Sequence, residues 1–135
     1  MKRVLPLRYR WWWFGAGLGA LALIMVLALL PLAAPVAVQG IDKFMHFLAF
    51  TFLTIWFLGV FEARYAWLVA AGLLAYGGLI ELLQSLTSFR FAEANDVVSN
   101  LAGIGAGWLL SMAGLRHWCR RIETMIGVVP QDGRR

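Results

Sequence analysis

The side chains in this chain that could do chemistry are few, and they recur at helical spacing. Asp42 and His46 stand four residues apart with Lys43 beside them, Glu81 and Gln84 are three apart, and Arg90, Glu93 and Asp96 precede Asn100. Residues three or four apart share one face of a helix, so each pair can point at the same place. His46 or Glu81 could act as a general base. Lys43 and Arg90 could grip a phosphate, and Gln84 and Asn100 could hydrogen-bond a polar headgroup. Asp42, His46, Glu81 and Asp96 are also types that bind divalent metals, but their spacing matches no known metal motif. On that spacing no metal and no cofactor are expected.

Each of these residues has a plainer reading as well. His46 could be a helix-end histidine bonded to Asp42 or to a neighbouring helix. Glu81 could form an ion pair with Lys43 or Arg90, and Arg90 could simply meet lipid phosphate. Asn100 could hydrogen-bond across a helix interface, which fixes register at modest energy. Taken singly, these readings suffice. Taken together they leave unexplained why all the polar partners lie at one depth.

The elements that must position these residues are apolar helices. Of 135 residues, 61% are hydrophobic and only 14% charged, far from the balance of a water-soluble domain. No charge occurs between Arg10 and Asp42, residues 44–61 form an uncharged run of 18, and residues 97–115 form one of 19. As a helix, 18 residues span roughly 27 Å, about one hydrocarbon core. The pattern predicts an all-α membrane protein with four spans near 12–32, 44–61, 65–84 and 97–115. Residues 1–115 then form a single transmembrane domain and 116–135 a basic tail, expected to be disordered from Gly127. The basic N-terminus before an apolar run resembles a signal peptide. The run is too long and its possible cleavage site too poor, so an uncleaved anchor is expected.

Lysine and arginine set the orientation. Ten of the 12 (Lys2, Arg3, Arg8, Arg10, Arg64, Arg116, Arg120, Arg121, Arg134 and Arg135) fall on one side of the four predicted spans, against Lys43 and Arg90 on the other. Basic residues are retained in the cytoplasm, which predicts both termini there. Trp11, Trp12, Trp13, Trp67 and Trp118 fall at the same ends, as expected for the headgroup layer. The net charge of +5 is then explained by anionic lipid, with no nucleic-acid partner. The polar set above lies at or near the outer face. A central aspartate costs roughly 2.5–3.5 kcal/mol on insertion scales, so ionisable groups at membrane depth usually face a protein interior or wet cavity.

Small residues supply the packing signal. Gly103 and Gly107 continue the face of Asn100, and Gly15 and Gly19 repeat the spacing in the first span, so both stripes are expected to admit a close neighbouring helix. Cys119, the only cysteine, is expected to be a free reduced thiol after the last span.

The ordered set DKFMHFLAF at residues 42–50, E-x-x-Q at Glu81 and Gln84, then Arg90, then D-x-x-x-N-x-x-G at Asp96, Asn100 and Gly103, resembles the VanZ-like family of bacterial membrane proteins. The likeness spans about residues 41–110. It implies a bacterial cytoplasmic membrane protein of the cell envelope. The family's name-giving member is associated with resistance to teicoplanin, and no settled biochemical activity comes with the resemblance. Three classes of function fit: binding of a lipid-linked cell-wall precursor or other anionic headgroup, an intramembrane hydrolase or transferase at the same surface, and a structural or partner-binding membrane protein. A transporter fits less well, because four spans without an evident repeat leave little room for alternating access.

Overall fold

The computed structural model describes residues 4–30, 40–87 and 94–128. These form five α-helices: α1 (Arg10–Leu29), α2 (Ile41–Val60), α3 (Ala66–Ser85), α4 (Ala94–Met112) and α5 (Trp118–Met125), with 3₁₀ turns at Ala63–Tyr65 and Leu115–His117. Among the described residues, three stretches are long and apolar enough to cross a membrane, namely α1, α2 and Ala63–Ser85. The fourth candidate is α4 together with α5, a pair bent by 83°. Asn95, Asp96, Ser99 and Asn100 dilute the apolar character of α4, which explains why it qualifies only with its partner. The described residues are thus all-helical, and the length and composition of their helices are those of a multi-pass membrane protein.

Both α2 and α4 start earlier than their apolar runs. Ile41 opens α2 after Gly40, whose φ of 87° is a left-handed conformation, and Asp42 lies in the first turn. Asp96 likewise lies in the first turn of α4. Carboxylates there face the positive end of the helix dipole, so polar residues can begin a helix that hydropathy alone would start later.

The tightest interface is between α2 and α4, and glycines permit it. A Cβ on Gly103 would stand 2.5 Å from the Phe47 carbonyl oxygen, and one on Gly107 2.7 Å from that of Thr51. Thr51 Oγ1 donates to Phe47 O at 2.8 Å and to Gly103 O at 3.2 Å, which adds a polar seam. The expectation for Gly103 and Gly107 therefore holds. That for Gly15 and Gly19 does not: nothing lies within 4 Å of a Cβ at either. Gly17 is the glycine of α1 that meets a neighbour, with Trp56 Nε1 at 2.8 Å and Phe57 Cε1 at 2.9 Å from its would-be Cβ. Two bulky rings on α2 choose the contact face of α1, and glycine spacing alone could not reveal them. Helix α3 is tied to α1 by Tyr76 OH donating to Leu21 O at 2.6 Å and Gln84 Nε2 donating to Ala28 O at 3.0 Å.

One end of the bundle is closed by the segments that flank it. Gly114, at φ 123°, turns the chain out of α4 and into the bend before α5. Helix α5 delivers Glu123, which is fully buried. Its carboxylate accepts hydrogen bonds from the backbone N–H of Arg8 and Tyr9, each at 2.9 Å, and from Trp13 Nε1 at 3.0 Å. It thereby satisfies donors at the start of α1 with a negative charge at the dipole's positive end. Leu5 N–H donates to Val60 O at 2.9 Å, docking the N-terminal segment on the end of α2. Residues 118–125 are thus a folded part of the bundle and not merely a basic tail. Residues 129–135, most of the stretch expected to be disordered, lie outside the described residues.

The tryptophans divide. Trp11, Trp12 and Trp67 are 69%, 79% and 62% exposed, as a headgroup belt requires. Trp13, Trp56 and Trp118 instead pack together, with ring centroids 4.8–6.0 Å apart, and Trp118 covers Gly59. Trp13 and Trp118 thus lie at the same end of the bundle as the exposed rings but are packed inside it. Cys119 is buried in this layer, and burial, reinforced by the nearby Glu123 charge, pushes its thiol up to about 12.

Candidate functional site

The opposite end of the bundle carries the polar set. Helix α2 supplies His46 from its second turn, α3 supplies Glu81 from its last, and α4 supplies Asp96 and Asn100 from successive turns. The three helices are held close there by the Gly103 contact and by Gly77, whose missing Cβ leaves room for Asn100 Nδ2, 2.8 Å from where that atom would stand. Glu81, Asp96 and Asn100 are 7%, 5% and 1% exposed, so this is a polar interior and not a solvated rim.

His46 Nδ1 lies 3.0 Å from Asn100 Oδ1. The amide oxygen can only accept, so Nδ1 carries a proton and donates it, leaving Nε2 as the ring's other nitrogen. Of the two partners expected for this histidine, the neighbouring helix is the one observed. One ligand atom from each of His46, Glu81 and Asp96 lies within 4.8 Å of the others. An imidazole nitrogen and two carboxylates thus converge from three helices, although their sequence spacing matches no metal motif. Such a set can accept protons, act as a base, or coordinate a cation.

The remaining predicted residues take different places. Lys43 Nζ lies 3.3 Å from Asp42 Oδ2 and 3.9 Å from Asp96 Oδ1, so it bridges the helix start and the buried carboxylate. The Asp42 and Lys43 side chains are about one-third exposed (33% and 31%), at the mouth of the cluster. Asp42 is absent from the converging triad. Gln84 is buried, but its amide is engaged by the Ala28 carbonyl, which makes it a brace between α3 and α1. Arg90 and Glu93 lie outside the described residues.

The reading of single residues missed Glu123. It sits in a short basic segment, WCRRIETM, and nothing in that context marks it as a buried acceptor. Its signal was the amphipathic order of that segment, with Cys119 and Glu123 four residues apart on one face. Away from the polar end, a cavity of about 320 Å³ opens between α1, α2 and α3, lined by residues including Leu18, Leu21, Phe57, Phe61, Leu73 and Tyr76. Its lining is hydrocarbon in character and offers no converging polar groups.

Comparison with protein-family models, with curated proteins and with solved structures found no match to this chain. The fold and the buried polar end define its class as a helical, multi-pass membrane protein with a charged interior at one end.

Proposed function

We propose that this is a VanZ-like protein of the bacterial cytoplasmic membrane whose polar end faces outward and engages a lipid-linked cell-wall precursor or another anionic envelope headgroup. The observation that carries the reading is the burial of Glu81, Asp96 and Asn100 beside a half-buried His46 at one end of an otherwise apolar bundle. Ionisable groups at membrane depth are costly and tend to mark pathways and sites. Lys43, partly exposed beside the cluster, would meet the phosphate, with Arg90 as its expected companion. Asn100 and Asp96 would line the polar interior behind them. The family assignment rests on the ordered residues from Asp42 to Gly103. The outward orientation and cytoplasmic termini rest on the ten-to-two division of Lys and Arg. A reporter fused after Val128 should report the cytoplasm, and a tag near Ala92 should be reachable from outside.

A second reading, an intramembrane hydrolase or transferase, is favoured by the convergence of the His46 imidazole with two carboxylates. In it His46 or Glu81 is the base. Glu81→Gln keeps shape while removing charge, and it tests the site under either reading. Detergent melting temperature and teicoplanin susceptibility are measured at equal expression. Unchanged melting with a lost phenotype supports a site. A marked fall in melting with a lost phenotype assigns Glu81 a bracing role. Unchanged melting with an intact phenotype removes Glu81 from the mechanism.

A further inference from the structure

We propose that His46, Glu81 and Asp96 form a binding site for one divalent cation of the zinc or manganese class, open on one side to a further ligand. The inference rests on the same polar end as the headgroup reading, and it specifies how that end would hold an anion.

Three observations carry it. First, the ligand atoms come from three different helices, yet all lie within 4.8 Å of one another. Ligands around such an ion sit at about 2.0–2.2 Å, so opposite donors are roughly 4 Å apart and adjacent ones closer. Side-chain rotation would have to close the remaining gap. Second, Asn100 Oδ1 occupies His46 Nδ1 at 3.0 Å. Metal-binding histidines generally donate their other ring N–H in this way, which fixes the tautomer and aims the free nitrogen. Third, two carboxylates that are 7% and 5% exposed are brought together here. Like charges that close repel strongly in a poorly screened interior, and a dication relieves that repulsion whatever single-charge partners also approach.

The donor set, one imidazole nitrogen and two carboxylate oxygens, favours borderline ions over calcium, which prefers an all-oxygen shell. Three protein ligands on a tetrahedral or larger shell leave at least one position open, the arrangement of ions that bind an exchangeable ligand. A phosphate oxygen of an anionic headgroup could take that position, with Lys43 alongside. No covalent step is implied.

The test uses full-length protein in detergent micelles, stripped with EDTA and titrated with zinc or manganese chloride by calorimetry. Saturable binding of one ion per chain is expected, with a raised melting temperature that EDTA reverses. His46→Gln and Asp96→Asn should each weaken binding by at least about tenfold. Glu62→Gln, which removes a carboxylate paired with Arg64 at 2.9 Å at the far end, should leave binding unchanged. Absence of saturable binding to the wild type, or undiminished binding in both site variants, overturns the proposal. If the variants do not fold, cobalt(II) titration of the wild type decides. One equivalent giving d–d bands of a nitrogen-containing site supports it, and no saturable spectrum overturns it. Cell assays separate this inference from the headgroup reading. A metal site whose loss in His46→Gln leaves teicoplanin susceptibility at the wild-type level removes the reading and keeps the ion. Lost phenotype in a folded Glu81→Gln protein, with no metal bound to the wild type, keeps the reading and removes the ion.

Discussion

His46 on α2 and Asn100 on α4 meet through a 3.0 Å hydrogen bond, which joins the most closely packed pair of helices at their polar end. The contact aligns the histidine ring and also spends the side-chain oxygen of a nearly fully buried asparagine. Structure and site share this bond, so removing it tests both.

Asn100→Leu is expected to cost about 0.6–2 kcal/mol, the range of interhelical hydrogen bonds in membranes. It would leave the Nδ1–H of His46 without its present acceptor. Thermal unfolding in detergent, monitored by circular dichroism, checks this. An unchanged melting temperature would mean that water or another group replaces the amide at no cost.

Gly103→Ala and Gly105→Ala form a matched pair on α4. A methyl at residue 103 would press on the Phe47 carbonyl at 2.5 Å, whereas residue 105 has nothing within 4 Å. The first should lose about 1–3 kcal/mol through forced separation of α2 and α4. The second should stay within about 0.5 kcal/mol of wild type. Equal melting temperatures for the two would contradict the close α2–α4 contact.

Glu123→Ala removes the acceptor of three donors, Arg8 N, Tyr9 N and Trp13 Nε1. Loss of about 1.5–3 kcal/mol is expected, the range of a hydrogen bond to a charged acceptor, since the donors are only partly buried. Limited proteolysis should then cut near Arg8 and Arg10 faster than in the wild type. Resistance equal to wild type would show that other contacts, such as Leu5 N to Val60 O, hold the segment alone.

Cys119 should resist maleimide at pH 8 in the folded protein and react after denaturation, because burial both shields the thiol and raises its pKa. The sign of the stability effect follows. With the folded value raised above the ordinary 9.0, the folded state holds its proton where the unfolded state loses it. The contribution is therefore constant below about pH 9 and falls as pH rises toward 12. A Cys119→Ser variant should lack that alkaline decline in its stability profile.

Composition and its uncharged runs were enough to predict apolar helices long enough to cross a membrane. Uncharged runs such as residues 44–61 can be helices in lipid with every backbone group satisfied, and few other structures can. Helical spacing likewise made the Gly103 and Gly107 stripe legible, because a stripe needs only the period of the helix. Tertiary structure alone decided what each face meets. Gly15 and Gly19 have the same spacing as the α4 pair, but Gly17 takes the contact because Trp56 and Phe57 project there. Gln84 shares a helix end with Glu81, yet its amide turns to Ala28 of α1. Glu123 looked like one charge in a basic tail until the bend after Gly114 carried it under the start of α1. The convergence of His46, Glu81 and Asp96 belongs to this second kind. Period places a residue on a face of its own helix, but the distance between residues on three helices depends on how those helices cross.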